Sequence, residues 1–478
     1  METAAIIKLD LSLIERIFRS QKSKSIELRI EPVKARQKRL NKLNEWIFAN
    51  REKIKQAVHL DFKKPLLEID TSEIYPVVTE IRQAIENIND WTRPKKIDAP
   101  LTYLGTRAEV RFEPKGVCLI IAPWNFPFNL CLGPLVSCLA AGNTAILKPS
   151  ELTPNTSRLI KKMISEIFAE DTVTVIEGGA EVTTHLLSLP FDHIFFTGSS
   201  TIGKIVMKAA AVNLTSVTLE LGGKSPTIID ATANIGDAAK RIAFGKFLNN
   251  GQACIAPDYV LVDNKIKDKF IEALRKAVLK LFGEQNEITE NSPNYARIVN
   301  SRHFDRVNEL IQDALHKGAK LEMQGAVNEQ TCFIHPMILS DVPKDARLME
   351  EEIFGPVLPI VTFNSVEEVI EIVNSKPKPL ALYIFGNSGK FREKVLSQTS
   401  AGSVVINDCV LQFTHPNLPF GGVNNSGIGK SHGHYGFMAF SNEKPVLRQK
   451  SGFSSLYFLY PPYTKVMKKL MDVMLRWL

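Results

Sequence analysis

A cysteine that follows a Gly-Gln pair is the residue best suited to covalent chemistry in this sequence. Cys254 ends the segment FLNNGQAC at 247–254, where the glycine allows a tight turn that can expose and activate a thiol. The alternative is that Cys254 is a small buried apolar residue, which is the usual fate of a lone cysteine. The spacing therefore predicts a nucleophile at Cys254, with an inert core cysteine as the alternative.

A glutamate within an apolar run is the candidate base for that thiol. Glu220 lies in LELGGKSP at 219–226, beside two glycines that let backbones approach closely. Apolar surroundings raise the pKa of a carboxyl group, which suits it to accept protons near neutral pH. The alternative is that Glu220 is a solvated surface charge.

Several other segments place these two residues in a known context. They are FEPKGV at 112–117, PWNFP at 123–127, LKPSE at 147–151, FFTGS at 195–199 and EEIFGP at 351–356. Together they resemble the aldehyde dehydrogenase superfamily over about residues 5 to 450. The C-terminal segments PFGG, SGIGK, HGHYGF and YPPY, which lie between 419 and 463, are similar to its class 3 branch, which includes the fatty and aromatic aldehyde dehydrogenases. The resemblance identifies a family but no substrate.

The resemblance implies a role for each of three catalytic residues. Cys254 attacks an aldehyde to form a thiohemiacetal, which becomes a thioester once a hydride has left. Asn125 and the backbone N–H of Cys254 stabilise the oxyanion, and Glu220 activates the water that releases a carboxylic acid. Alone, Asn125 could be an ordinary turn residue. The implied function is NAD(P)-dependent oxidation of medium- or long-chain aliphatic, or aromatic, aldehydes.

A strand-to-helix turn is the candidate cofactor site. The segment FTGSSTIG at 196–203 follows a predicted strand and opens a predicted helix, where a pyrophosphate meets backbone donors and a positive helix end. A plain turn is the alternative, because Gly-x4-Gly is not the usual dinucleotide fingerprint. The resemblance implies cofactor contacts from Gly198, Ser199, Lys148, Glu151, Glu352 and Phe354. Without it, Glu352 could be a charge on a helix face.

Lys148 and Glu151 act in opposite directions on the choice of cofactor. A carboxylate accepts hydrogen bonds from a ribose diol and repels a 2′-phosphate, whereas a lysine attracts that phosphate. We expect NAD, with NADP as the alternative, and no metal. Aromatic side chains near Tyr75, Trp124 and Phe413 are expected to line an apolar aldehyde pocket.

Alternating strands and helices predict an α/β fold with parallel sheets. Short apolar runs at 117–122, 145–148, 172–176 and 192–196 alternate with helical periodicity at 155–168 and 202–211, and a second series has helices at 265–282 and 303–317. The resemblance implies a Rossmann-like NAD-binding domain at 1–82 and 105–223 and a catalytic domain at 224–402. It also implies an oligomerisation element at 83–104 and 403–450, and hence a homodimer.

Bulk properties exclude several other classes. The 478 residues carry a net charge of +8, but the basic residues are dispersed and no nucleic-acid recognition motif is present. The six cysteines form no CxxC pair, which favours a reducing cytoplasmic compartment. Residues 117–147 carry no charge, yet prolines and asparagines interrupt them, so a strand, a turn and a helix are predicted instead of a membrane span.

The tail at 451–478 predicts an amphipathic helix. Its apolar residues recur at helical spacing: Val466, Met467, Leu470, Met471, Met474, Trp477 and Leu478. Lys465, Lys468, Lys469, Asp472 and Arg476 lie opposite. Three alternatives stay open for this helix. It packs on the protein's own body, it makes a peripheral membrane contact through 463–478, or it covers the substrate entrance.

Two other functions remain to be weighed against aldehyde oxidation. A CoA-acylating semialdehyde dehydrogenase shares the cysteine and the nucleotide site, but such relatives generally lack the glutamate base, so Glu220 favours hydrolysis. A catalytically inactive binding or scaffold protein is the second alternative, and the joint presence of Asn125, Glu220 and Cys254 argues against it.

Overall fold

The computed structural model describes residues 11–100, 103–285, 287–457 and 460–477, with only the backbone for residue 477. Parts of several predicted units therefore lie outside the described residues. They are residues 1–10 of the nucleotide-binding domain, 101 and 102 of the oligomerisation element, 286 of the catalytic domain, and 458, 459, 478 and the Trp477 side chain of the tail.

Seventeen α-helices occur in the described part of the chain. They are α1 Leu11–Arg29, α2 Val33–Ala49, α3 Arg51–Phe62, α4 Leu66–Ile69, α5 Tyr75–Trp91, α6 Asn129–Ala141, α7 Pro154–Ile167, α8 Ala180–Ser188, α9 Ser200–Val212, α10 Ile235–Phe247, α11 Lys267–Phe282, α12 Ser301–His316, α13 Arg347–Glu350, α14 Val366–Asn374, α15 Gly389–Gln398, α16 Gly433–Ala439 and α17 Lys465–Trp477.

Eighteen strands accompany them within the same described ranges. They are β1 Lys95–Ile97, β2 Thr106–Pro114, β3 Val117–Ile121, β4 Thr144–Lys148, β5 Val173–Val175, β6 His193–Thr197, β7 Ser216–Glu220, β8 Pro226–Ile229, β9 Tyr259–Asp263, β10 Lys320–Met323, β11 Val327–Asn328, β12 Phe333–Ile334, β13 Met337–Ser340, β14 Val357–Phe363, β15 Ala381–Phe385, β16 Ser403–Ile406, β17 Gly427–Ile428 and β18 Ser441–Gln449.

The α/β fold with parallel, Rossmann-like sheets is confirmed. The four predicted apolar strands appear as β3, β4, β5 and β6, and the predicted helices as α7, α9, α11 and α12. All side chains of β3, β4 and β6 are buried, which is why these strands are apolar without interruption. The uncharged segment 117–147 forms β3, a turn, α6 and the first residues of β4.

The first sheet has six strands in the order β17-β7-β6-β3-β4-β5, and only β17 runs antiparallel. From β3 the chain moves outward through β4 to β5, and then returns to place β6 on the other side of β3. The connections therefore diverge between β3 and β6. In open α/β sheets, ligands bind in the crevice that such a reversal leaves at the carboxyl ends of the strands.

The second sheet has seven strands in the order β10-β13-β14-β9-β8-β15-β16, parallel except for β10. Helices such as α10 and α11 cover it and contribute to a core of its own. Strand β16 pairs in this second sheet and β17 pairs in the first, although both fall in the range predicted for the oligomerisation element. The domain boundaries therefore stay a prediction.

A third, antiparallel sheet of β1, β2 and β18 stands apart from the two parallel sheets. Beyond it lies α17, on which Val466 is 76% exposed and Leu475 78% exposed. On the predicted apolar face Leu470 is also exposed, whereas Met467, Met471 and Met474 are half-buried, so the described residues cover that face only in part. Among the described helices, none combines the length and the apolar character that crossing a bilayer requires.

Candidate active site

A cavity of about 460 Å³ opens at the carboxyl edge of the first sheet, where that edge faces the second sheet. Most of the sequence-predicted site residues line it: Asn125, Gly198, Ser199, Glu220, Cys254, Glu352 and Phe354. Lys148 and Glu151 do not line it. The fold therefore brings together residues that are more than 200 positions apart in the chain.

A strained turn places Cys254 at this cavity. After α10 the chain makes a single 3₁₀ turn in which Asn249 and Asn250 take left-handed backbone angles, with φ of 51° and 57°. Gly251 follows with φ of 74°, and a Cβ there would lie 2.3 Å from the carbonyl oxygen of Gly355. Only glycine fits this close approach, so the turn is locked against the segment that carries Glu352 and Phe354.

The side chain of Gln252 holds the turn from the other side. Its Nε2 donates to the carbonyl oxygens of Asn249 and Arg297 at 3.0 and 2.9 Å, and its Oε1 accepts from the backbone N–H of Val299 at 3.0 Å. Both N–H groups and the oxygen of this buried amide are thus engaged locally. The Gly-Gln pair therefore determines where Cys254 lies.

The thiol of Cys254 is less activated than the sequence led us to expect. It is half-buried, and burial, followed by the nearby carboxyls of Glu352 and Glu220, raises its pKa to about 12. The backbone N–H groups of Cys254 and Ile255 oppose this rise. The expected exposed and activated thiol is not found, because burial and then the two carboxyl groups disfavour the thiolate, so attack requires a group that accepts the thiol proton.

Glu220 lies at the end of β7 and is 5% exposed. Its Oε1 accepts a hydrogen bond of 2.9 Å from Ser431 Oγ, whereas its buried Oε2 has no partner among the described residues. Burial raises the pKa of Glu220 to about 8, against the opposing effects of the Ser431 hydroxyl and the Lys430 ammonium. The expected rise of its pKa is confirmed, and the alternative of a solvated surface charge is wrong.

Asn125 is held rigidly at the same cavity. Its Nδ2 donates to the carbonyl oxygen of Gln252 at 3.0 Å, and its own carbonyl oxygen accepts from Asn249 Nδ2 at 2.8 Å and Lys64 Nζ at 3.1 Å. One N–H of the side-chain amide is engaged with Gln252, which leaves the second as a free donor. Asn125 is 3% exposed, so it is not a solvated turn residue.

A fully buried ion pair between Lys64 and Glu73 supports the turn that carries Asn125. Lys64 Nζ lies 2.6 Å from Glu73 Oε1, and both side chains are completely inaccessible to solvent. Glu73 Oε2 accepts the backbone N–H groups of Phe128 and Asn129 at 3.1 and 3.0 Å. Sequence reasoning missed this pair, because Lys64 lies 61 residues before Asn125 and outside every quoted motif.

The amino end of α9 forms a cradle that suits a phosphate group. Ser199 caps the helix, because its Oγ accepts from the backbone N–H of Ile202 at 3.4 Å. The hydroxyl proton of Ser199 is therefore left to donate to a ligand. A Cβ at Gly198 would lie 2.5 Å from the Phe196 ring, so glycine is required in this turn. Backbone donors, a helix dipole and a hydroxyl together fit a pyrophosphate.

Glu352 and Phe354 form the opposite wall of the cavity. Glu352 lies beyond the end of α13, and burial followed by the charge of Asp258 raises its pKa to about 8. A Cβ at Gly222 would lie 2.4 Å from the Glu352 carboxyl, so the first sheet approaches this group closely. Glu352 is half-buried against this backbone and lies on no helix, so it is not a charge on a solvated helix face, and its position suits a hydroxyl donor such as that of a ribose.

Lys148 and Glu151 lie apart from the other predicted residues. Lys148 ends β4 and is 3% exposed, and its Nζ lies 2.7 Å from Glu151 Oε2. The two groups that were expected to compete for the ribose 2′ position therefore form an ion pair with each other. They occupy the same carboxyl edge of the first sheet as the crevice between β3 and β6.

Two further groups near the cysteine escaped sequence reasoning. Lys246 on α10 is fully buried, and burial lowers the pKa of its ammonium to about 8, although Asp258 and Glu352 oppose the shift. A lysine among the apolar residues of α10 was the available signal. Ser431 lies between two quoted segments, and no pattern distinguished it before its contact with Glu220 was seen.

Apolar side chains surround the sulfur on the side away from the cofactor cradle. Trp124 lines the 460 Å³ cavity, and Phe413 lines a smaller cavity that also touches Cys254 and Glu220. Trp124 packs edge-on against Phe354, with ring centroids 5.3 Å apart. Tyr75 is 58% exposed and lines neither cavity, because it begins α5 with its ring toward solvent. The expectation that Tyr75 faces the pocket is therefore wrong.

Comparison with known proteins identifies relatives over nearly the whole chain. The sequence profile of the aldehyde dehydrogenase family matches residues 3–446. A 4,4′-diaponeurosporen-aldehyde dehydrogenase of Staphylococcus aureus is 42% identical over 95% of this chain and 97% of its own. Aldehyde dehydrogenase family 3 member A2 of Rattus norvegicus is 40% identical, over 94% and 90%. The solved structure of substrate-bound Staphylococcus aureus AldH superposes with a TM-score of 0.92, at 41% identity, over 96% and 99% of the two chains.

Proposed function

The chain belongs to the aldehyde dehydrogenase family and is an NAD(P)-dependent oxidoreductase, and from this premise we propose that Cys254, Asn125 and Glu220 carry its chemistry. In this proposal an aldehyde is oxidised to a carboxylic acid through a thiohemiacetal and then a thioester on Cys254. The observation that carries the proposal is the convergence of the three side chains on the one cavity that also contains the phosphate cradle of α9.

The first step needs a thiolate and a stabilised oxyanion. Cys254 loses its proton to a neighbouring carboxylate, and its sulfur adds to the aldehyde carbon. The free amide N–H of Asn125 and the backbone N–H of Cys254 donate to the oxygen that becomes negatively charged. A donor of this kind stabilises such a charge by about 3 kcal/mol in comparable sites. A nicotinamide cofactor held by Glu352 and Phe354 would supply the acceptor for the hydride that leaves the former aldehyde carbon.

The second step is hydrolysis of the thioester. Glu220 takes a proton from water, the water oxygen bonds to the acyl carbon, and the carbon–sulfur bond breaks. The unpartnered, buried Oε2 of Glu220 supports this role, because it is an acceptor that no described protein group occupies. Such a base also favours hydrolysis over transfer of the acyl group to CoA.

We propose that the cofactor lies across the first sheet at the crevice beside β6. Gly198 and Ser199 bind its pyrophosphate, and Glu352 with Phe354 holds the nicotinamide ribose. Lys148 and Glu151 lie near the adenosine ribose. Because Glu151 neutralises Lys148 across 2.7 Å, the pair presents no net positive charge to a 2′-phosphate, which favours NAD over NADP.

The proposed substrates are medium- or long-chain aliphatic aldehydes, or aromatic ones. The wall beside Cys254 is apolar, with Trp124, Leu130, Phe413 and Phe420 among its residues. One compared relative is named a 4,4′-diaponeurosporen-aldehyde dehydrogenase, which supports an organic aldehyde as the substrate.

We propose that the protein is a homodimer. The outer surface of α9 exposes Ile202, Ile205 and Val212, which is an unusual density of apolar groups for a solvated helix. Strand β16 ends the second sheet, and β18 ends the third, with backbone edges that a second copy can pair.

For the tail we propose peripheral membrane contact. On α17 the exposed Val466 and Leu470 lie opposite lysines and Arg476, an arrangement that suits the surface of an anionic bilayer. The exposed Val466 and Leu470 support this role, and the half-buried Met467, Met471 and Met474 form the part of the helix that is covered.

Pre-steady-state kinetics of two variants test the catalytic proposal. Cys254→Ala is expected to lose aldehyde oxidation while binding NAD as the parent does, and Cys332→Ala, on a hairpin remote from the cavity, serves as the control. Glu220→Gln is expected to give a burst of about one NADH per active site and then slow turnover. Activity of Cys254→Ala above a few per cent of the parent would contradict the nucleophile, and unchanged steady-state turnover of Glu220→Gln would contradict the base.

A further inference from the structure

A second, much smaller cavity shares Glu220 and Cys254 with the first. Its volume is about 40 Å³, which is far below the several hundred cubic ångströms of an organic ligand site and suits one or two waters. The other polar residues that line it are Glu80, Asn129, Ser137, Thr197, Ser431 and His432.

The proposed hydrolysis leaves a proton on a residue that has almost no access to solvent. Glu220 is 5% exposed, and the Ser431 hydroxyl covers its Oε1. Each turnover nevertheless transfers a proton from water to Glu220, and that proton must leave before the next water is activated. The unpartnered Oε2 of Glu220 and the water-sized cavity beside it provide the first part of such a route.

His432 and Glu80, which both line that cavity, form a pair. His432 Nδ1 lies 3.7 Å from Glu80 Oε2, and Glu80 Oε1 accepts the backbone N–H of Gly433 at 2.6 Å. With Nδ1 turned toward Glu80, Nε2 is the ring nitrogen left for a water. The His432 side chain retains 19% of its exposure, so this imidazole can exchange protons with solvent where Glu220 cannot.

The backbone and the aromatic neighbours hold this imidazole in one place. His432 takes a left-handed φ of 70°, an uncommon conformation for a residue other than glycine. The rings of Phe413 and Phe420 stand edge-on to it, with centroids 4.7 and 5.3 Å away. The charged or titratable groups that share its surroundings are Glu80 on α5, Glu220 on β7, Cys254, and Lys430 on its own segment.

We propose that His432, oriented by Glu80, carries the proton from Glu220 to solvent through water in the small cavity. This inference rests on the proposed role of Glu220 as the hydrolytic base. In the step itself, water adds to the acyl carbon, sulfur leaves as thiolate, and one water proton passes to Glu220. The proton on Glu220 then passes to cavity water, to His432 Nε2 and to bulk solvent. The carboxylic acid loses its own proton when it is released.

The test compares His432→Asn with His434→Asn. At position 432, where φ is 70° and ψ is 139°, asparagine removes the imidazole and keeps a polar side chain. His434 packs on Trp91 and is not among the residues that line the small cavity, so its variant is the matched control. Stopped-flow measurement of NADH separates the burst from steady turnover, and intact-mass spectrometry of acid-quenched enzyme counts the chains that carry an acyl group. Both run across about pH 6 to 9, with and without added imidazole.

For His432→Asn we expect a normal burst, about tenfold slower steady turnover, accumulated acyl-enzyme, and recovery of the rate with imidazole. Glu80→Gln is expected to show the same pattern more weakly, because its amide oxygen still accepts from Gly433. Turnover and acyl-enzyme equal to those of His434→Asn would overturn the proposal, and so would slow turnover that imidazole does not restore. Unchanged turnover of Glu220→Gln would instead refute the underlying function.

Discussion

Removing the hydroxyl of Ser431 should move the pH dependence of thioester hydrolysis to higher pH. Ser431 Oγ donates to Glu220 Oε1 at 2.9 Å, and this hydrogen bond stabilises the ionised carboxylate against the burial that raises its pKa to about 8. Hydrolysis requires the ionised form, so its rate increases as pH rises through that pKa. Ser431→Ala removes a group that lowers the pKa, so the increase must occur at higher pH.

The size of the shift follows from the strength of that bond. A hydrogen bond to a charged group contributes about 1.5 to 3 kcal/mol, and one pKa unit corresponds to about 1.4 kcal/mol. Since Ser431 also donates, more weakly, to the neutral carboxyl, we expect a shift of about one unit. At pH 8 the ionised fraction then falls from about one half to about one tenth, which slows hydrolysis by about fivefold.

Steady-state turnover under conditions where acyl-enzyme accumulates measures this shift directly. Ser137→Ala is the matched control, because it removes a hydroxyl from the same small cavity without touching Glu220. We expect the deficit of Ser431→Ala to shrink as pH rises above 8 and the amplitude of the NADH burst to stay unchanged. A deficit of equal size at every pH, or a shift to lower pH, would refute the role of this hydrogen bond.

Three other predictions concern the cofactor, the tail and assembly. Glu151→Ala should raise the ratio of kcat/KM for NADP to kcat/KM for NAD about tenfold, because it removes a negative charge and frees the Lys148 ammonium. A tenfold change corresponds to about 1.4 kcal/mol of lost repulsion. A parent enzyme that already prefers NADP would contradict this prediction. Truncation after Gly452 should abolish flotation with anionic liposomes, and equal flotation of both chains would leave α17 without a membrane role. Sedimentation of the parent should give the mass of two chains. Ile205→Lys, on the exposed face of α9, should give the mass of one chain. A parent with the mass of one chain would contradict the dimer.

Local patterns in the sequence were sufficient to predict the architecture of both parallel sheets. Uninterrupted apolar runs become β3, β4 and β6, because strands that are buried on both faces need no polar residues. The turn before Cys254 could also be anticipated, because at Gly251 a Cβ would lie 2.3 Å from the Gly355 carbonyl oxygen, and such a position requires a glycine that is visible in the sequence. The apolar context of Glu220 correctly indicated a raised pKa, because its apolar run forms the buried end of β7 and burial disfavours the ionised carboxylate.

Tertiary structure alone decided how the remaining groups act on one another. The pKa of the Cys254 thiol depends in part on Glu352, which is almost a hundred residues away in the chain. No local sequence pattern shows how close these two side chains lie in the folded protein. The same holds for the support of Asn125 by Lys64 and Glu73, for the ion pair between Lys148 and Glu151, and for the small cavity that Glu80 and His432 share with Glu220. Residue type and local spacing determine which chemistry is available, whereas electrostatic and hydrogen-bond energies depend on distances that only the folded chain sets.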